Sequence, residues 1–251
     1  MKITTSGLVI REQTLSENDR LVTILTEKEG VIRAFARSAK NMKNKMFSGT
    51  QLLCYSDFNI YKGKDKYIIN EADLNKVFFN LRDDIVKISL AQYFCEIAMV
   101  LQPKHEESKD FLQLILNALY CISMGKYSRG IIKSAVELRA SAIVGFMPNL
   151  VCCSGCHEYN ATKMYFFIDE GKILCESCCA TALRNEAVCV SPSVLAALRH
   201  ILYAESKKVF SFSVSEKSLS QICFITQKYL ERHSGSKFKT LEVYKELTSF
   251  N

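Results

Sequence analysis

Val31-Ile32-Arg33-Ala34-Phe35-Ala36-Arg37 alternates with a period of two, so as a strand it sets Ile32, Ala34 and Ala36 on one face and Arg33, Phe35 and Arg37 on the other. One face can bury while the other meets water. Short runs of the same character surround it: Gly7 to Arg11, Leu21 to Thr26, Gln51 to Tyr61 and Tyr67 to Glu71. Asp19, Gly30, Ser48-Gly49 and Gly63-Lys64-Asp65 punctuate them at close spacing. The pattern predicts a small all-β barrel or sandwich rather than strands alternating with helices. Five strands is the count of an OB-fold.

Beyond Leu81 the period becomes helical. Leu81, Ile85, Ile88, Ala91, Phe94, Ala98 and Leu101 recur every three or four residues. Further helices are expected over Lys109 to Met124 and Tyr127 to Gly145, where Pro148 prevents continuation. Then come six of the eleven cysteines within a short stretch, around an apparent hairpin of Met164 to Ile168 and Lys172 to Leu174. Ser191 with Pro192 reads as a helix start, and another helix begins near Ser215 and ends before Gly235. The expected fold class is multidomain α+β: a five-stranded OB-fold barrel over residues 1–80, an α-helical domain from 81–148 and 180–251, and an inserted four-cysteine zinc module at 149–179.

The chain has 251 residues, of which 48% are hydrophobic and 24% charged, a composition that excludes a disordered or low-complexity polypeptide. Charge appears by Arg11, before a secretory signal's apolar run of roughly 7 to 15 residues could be completed. Ile97-Ala98-Met99-Val100-Leu101 falls far short of the roughly 20 apolar residues that span a bilayer. A soluble, cytoplasmic protein without membrane partners is expected. No glycine sits in a Gly-Lys-Ser or Gly-Lys-Thr triplet, which argues against a P-loop nucleotide motor.

Eleven cysteines in a reducing compartment, an odd number, point to metal rather than disulfides. Cys153-Ser154-Gly155-Cys156 and Cys175-Glu176-Ser177-Cys178 are two C-x-x-C pairs separated by 18 residues. That lies in the roughly 15 to 20 window of zinc sites. Two tight turns and the hairpin between them would gather four thiolates around one structural Zn²⁺, with no position open for catalysis. Cys152, Cys179 and His157 offer alternative ligands. Cys54, Cys95, Cys121, Cys189 and Cys223 read as small core residues.

The formal charge is +7, and between Val31 and Ser56 there is no Asp or Glu, while Arg33, Arg37, Lys40, Lys43 and Lys45 all fall there. Unopposed cations beside an exposed Phe35 suit single-stranded nucleic acid, since guanidinium and ammonium groups neutralise phosphates and a ring stacks on bases. Lys126, Arg129, Lys133 and Arg139 form a second basic group near one helix, a candidate partner surface.

Glu17-Asn18-Asp19-Arg20-Leu21-Val22-Thr23, then Leu25-Thr26-Glu27 and Gly30, Arg33-Ala34-Phe35-Ala36-Arg37, Glu137-Leu138-Arg139, Gly145-Phe146-Met147-Pro148-Asn149-Leu150 and the two C-x-x-C pairs together resemble the bacterial recombination mediator family RecO. The likeness covers nearly the whole chain. It implies an N-terminal OB-fold, a helical domain and a zinc module. It also implies a non-enzymatic, nucleoid-associated role. Such a protein binds single- and double-stranded DNA, anneals complementary strands, and works with RecR to load RecA onto DNA coated by single-stranded-DNA-binding protein. The coat protein's acidic, apolar C-terminal tail would be recognised in the helical domain. Where members of the family usually carry Gly, this chain has Ser38 in the basic stretch and His157 after the second cysteine.

Two enzyme classes fit poorly. A zinc deaminase would want Pro before a C-x-x-C pair and an open metal position, although His105-Glu106-Glu107 matches its other motif. A thiol oxidoreductase would place one pair in a βαβ unit. A zinc-ribbon RNA-binding or transcription-associated protein is the remaining alternative.

Overall fold

A computed structural model describes residues 1–64, 66–159, 161–180 and 187–249. The tip of the turn expected at Gly63-Lys64-Asp65, and parts of the expected module and C-terminal helical segment, lie outside the described residues. The chain divides into two compact units, Met1–Met124 with Phe238–Asn251, and Gly125–Lys237.

The first unit is built on β1 (Lys2–Thr14), β2 (Arg20–Thr26), β3 (Val31–Ala36), β4 (Cys54–Lys62) and β5 (Tyr67–Val77). Their pairing closes a barrel in the order β1-β2-β3-β5-β4, with β4 returning to β1. All pairs are antiparallel except β3 with β5, where Ala34 faces Tyr67 and Phe35 faces Ile68. β1 and β5 are longer than the sequence pattern suggested. An irregularity between Val9 and Arg11 interrupts the alternation of β1, and register shifts at Tyr55/Ser56 and Asn59/Ile60 break the β4–β5 ladder, so simple period-two reading stops short. Inward residues Val9, Val22, Ile24, Ile32, Ala34, Phe58, Ile60 and Ile69 fill the centre. A short helix, α1 (Met46–Gly49), follows the basic loop.

The same unit holds α2 (Ile85–Leu101), α3 (His105–Met124) and α8 (Lys239–Ser249). Asp84 caps α2 by accepting from Val86 and Lys87 N–H, which moves its start beyond the expected Leu81. On α3, Ser108 donates to the Thr26 carbonyl of the barrel at 2.8 Å. The start of α8 is held by Glu96 of α2, which accepts from Thr240 N–H at 2.9 Å. Phe238 meets Tyr93 edge-on at 5.5 Å. The sequence pattern identifies no helix here; this capping carboxylate and aromatic pair fix α8 against α2.

The second unit contains α4 (Arg129–Ile143), β6 (Met164–Phe167), β7 (Lys172–Cys175), α5 (Glu176–Ala180), β8 (Ala187–Val190), α6 (Pro192–Tyr203) and α7 (Glu216–Ser234). Ser128, Ser191 and Ser215 cap α4, α6 and α7, and Gly235, in the left-handed region, ends α7. The expected hairpin gains a third strand, giving the order β7-β6-β8. Cys189 sits exposed on that added strand and Cys223 is half-buried, so these two are not core residues, whereas Cys54, Cys95 and Cys121 are buried as expected. Among the described residues no helix is long and apolar enough to cross a membrane.

Candidate nucleic-acid face and metal centre

On β3 the alternation is realised: Ile32, Ala34 and Ala36 are buried, Arg33 is exposed and Phe35 keeps 38% of its surface. Arg37, Lys43 and Lys45 are exposed, and Lys40 is half-buried. Among the described residues, none of these five cations forms an ion pair. Gln13 Oε1 accepts a hydrogen bond from Arg33 Nη2 at 3.4 Å. Register extends the face. Arg11 pairs with Thr23, which pairs with Arg33, so a further exposed cation lies two strands away on the same side. Sequence reading missed Arg11 because the irregularity beside it breaks the alternation that would have revealed its side.

The loop after β3 is anchored from the start of β2. Asp19 Oδ1 accepts from Ser38 N–H at 2.8 Å, and the Asn18 carbonyl accepts from Lys40 N–H at 2.9 Å. Buried Arg20 donates to the Phe47 carbonyl at 2.8 Å and to the Thr50 hydroxyl at 2.9 Å, while its Nε lies 2.9 Å from Glu12. Ser38 adopts φ 54°, a left-handed conformation that glycine takes freely and other residues only at a cost.

In the second unit the sulfurs of Cys153, Cys156, Cys175 and Cys178 all lie within 4.8 Å of one another, and Cys156 and Cys175 approach to 3.6 Å. A tetrahedral ion with sulfur at roughly 2.3 Å needs sulfur–sulfur separations of about 3.8 Å, so the quartet has the size of a metal cage. Cys152 instead faces His157 Nδ1 at 3.9 Å, and among the described residues neither it, His157 nor Cys179 joins the cage. The chain reaches the geometry by tight turns. His157 N–H donates to the Cys153 carbonyl, His157 sits at φ 63°, and Ser154 N–H is tied to Ile173 of the hairpin. Gly155 is required by proximity, because a Cβ there would lie 2.9 Å from Cys178 Sγ.

Burial alone would raise the Cys153 thiol, but N–H groups of Cys156, Cys175 and Gly155 directed at its sulfur hold it down at about 6. Cys178 is pushed up to about 12 by hydrogen bonds with the sulfurs of Cys175, Cys156 and Cys153. One thiolate is thus favoured locally, and four would require a cation.

The second basic group divides. Lys126 and Arg129 are exposed. Lys133 is buried, its ammonium 2.7 Å from Glu137, whose other oxygen accepts from Thr226 at 2.7 Å. Arg139 donates to the carbonyls of Leu202 and Ile201 at the end of α6. An exposed row of four cations is therefore not formed, because two of them satisfy groups inside the unit.

The chain matches the family model Recombination protein O N terminal over residues 1–78 and Recombination protein O C terminal over residues 82–242. It is 32% identical over 245 residues to the DNA repair protein RecO of Acetivibrio thermocellus, covering 97% of this chain and 96% of that protein. It is 24% identical over 248 residues to the protein of the same description from Alkaliphilus metalliredigens, covering 98% and 100%. The corresponding protein of Clostridium perfringens is 27% identical over 243 residues, covering 97% of each.

Proposed function

The chain belongs to the RecO family of DNA repair proteins, which is not a family of enzymes, and on that premise we propose that its barrel is an OB-fold that grips DNA strands. The observation that carries the proposal is the outward row of Arg33, Phe35 and Arg37 with Lys40, Lys43 and Lys45 beside it, free of carboxylate partners among the described residues. Cations without carboxylate partners are available for phosphates, and the partly exposed ring can stack on a base. A surface that holds two complementary strands lowers their mutual repulsion and raises their local concentration, while base pairing drives annealing. Nothing in that face reads sequence, which suits strands of any composition.

In this reading, residues 1–80 bind DNA, the helices over 81–148 and 180–251 serve partners, and 149–179 is a zinc module. The protein acts with RecR to load RecA onto single strands coated by single-stranded-DNA-binding protein, at the nucleoid. Of the second basic group, Lys126 and Arg129 remain available to the coat protein's acidic tail. The Cys153, Cys156, Cys175 and Cys178 cage suits a Zn²⁺ that supplies cross-linking rather than chemistry, because four protein ligands fill its coordination.

The test replaces Arg33, Arg37 and Lys40 together by Ala and measures single-stranded DNA affinity against salt. Loss of three phosphate contacts flattens the slope of log K against log salt by about 2. An unaltered slope and affinity would remove the barrel face from the proposal.

A further inference from the structure

Asn18, Asp19 and Arg20 carry part of the family likeness, yet the strand-gripping role uses none of them directly. Arg20 is only 5% exposed, so it is not a phosphate ligand. Each of the three instead holds a different point of the basic segment: Lys40 N–H, Ser38 N–H, and the Phe47 carbonyl with Thr50. The Asn44 side-chain amide closes the loop onto the Ser38 carbonyl at 3.1 Å. Lys40 and the intervening Lys43 and Lys45 therefore project from a segment tied at both ends.

A loop already fixed has less freedom to lose when it closes on a strand, so its ties strengthen binding without touching the ligand. Resting on the strand-binding reading above, we propose that Asp19 is a positioning residue for DNA: its carboxylate holds Ser38 in the left-handed turn that aims Lys40, Lys43 and Lys45. The arrangement runs against simple electrostatics. A carboxylate beside a cationic face repels phosphates, so charge alone predicts that removing it tightens binding. Asp19 is present in spite of its charge, because Ser38 N–H needs an acceptor at that point.

The two effects separate by sign. Asp19→Asn removes the charge and keeps an oxygen acceptor, whereas Asp19→Ala removes both. Binding of a fluorescent oligo-dT to the full chain at moderate salt should be unchanged or tighter for Asp19→Asn. For Asp19→Ala it should be about fivefold weaker. Trypsin should also cut after Lys40, Lys43 or Lys45 faster in Asp19→Ala than in Asp19→Asn. Should Asp19→Ala fold poorly, Ser38→Val attacks the same tie from the loop, since a β-branched residue resists positive φ, and it should weaken binding likewise. Equal or tighter binding by Asp19→Ala than by Asp19→Asn overturns the positioning role. If the Arg33, Arg37 and Lys40 triple variant still weakens binding, that failure leaves the strand-binding reading standing. An unaltered triple variant overturns both.

Discussion

Lys133→Ala should destabilise the protein without altering its grip on DNA. Glu137 is fully buried, with Lys133 at 2.7 Å on one oxygen and the Thr226 hydroxyl at 2.7 Å on the other. Removing the lysine takes the partner cation from a buried carboxylate, which costs about 3 to 5 kcal/mol, and the hydrogen bonding that carboxylate keeps, from Thr226 among others, sets the expectation near 3. With a urea dependence of about 3 kcal/mol per molar for a chain of this size, the unfolding midpoint falls by about 1 M. Replacing Lys133→Met and Glu137→Gln together removes both charges while keeping hydrogen-bonding capacity beside Thr226, and should lose less stability than Lys133→Ala alone. Chemical unfolding followed by circular dichroism measures both. A loss below about 1 kcal/mol in Lys133→Ala, or weakened partner binding at unchanged stability, would refute the internal role and return Lys133 to the surface.

Further outcomes follow from local geometry. Gly155→Ala should lower metal affinity more than tenfold, read by competition with a chromogenic chelator, because its Cβ meets the Cys178 sulfur at 2.9 Å; retention of parental affinity would contradict the packed cage. The parent should carry about one zinc per chain by elemental analysis and lose it as pH falls and the thiolates protonate. Ser38→Gly and His157→Gly should each be neutral or stabilising by up to about 1 kcal/mol, since both positions hold positive φ; a loss of more than that in thermal unfolding would mean their side chains matter. Phe35→Ala should weaken single-stranded DNA binding by about 1 to 3 kcal/mol, with Phe35→Tyr close to parental, and equal binding by both would show that the ring does not stack.

Much of the candidate site was readable in one dimension because its determinants are local. The strand alternation at Val31 to Arg37 and the absence of acids from Val31 to Ser56 needed no knowledge of the fold. The cysteine spacing likewise named the four residues that the tertiary structure gathers. The departures at Ser38 and His157 were visible as missing glycines, but their meaning waited for the backbone angles. Lys133 and Arg139 misled because helical spacing places charges around an axis without saying which side another helix covers. Arg139 reaches carbonyls 62 and 63 residues away, a pairing no local pattern records.

Alternation, helical period and paired cysteines determined the five strands, most of the helices and the four cysteines that cluster, since each depends on neighbours within a few residues. The tertiary structure alone decided that α8 is held by Glu96 and Tyr93, that β8 joins the hairpin, and that Asn18, Asp19 and Arg20 anchor a loop some twenty residues onward. Those outcomes depend on which distant donor meets which acceptor, and hydrogen bonds of that kind are set by packing rather than by sequence separation.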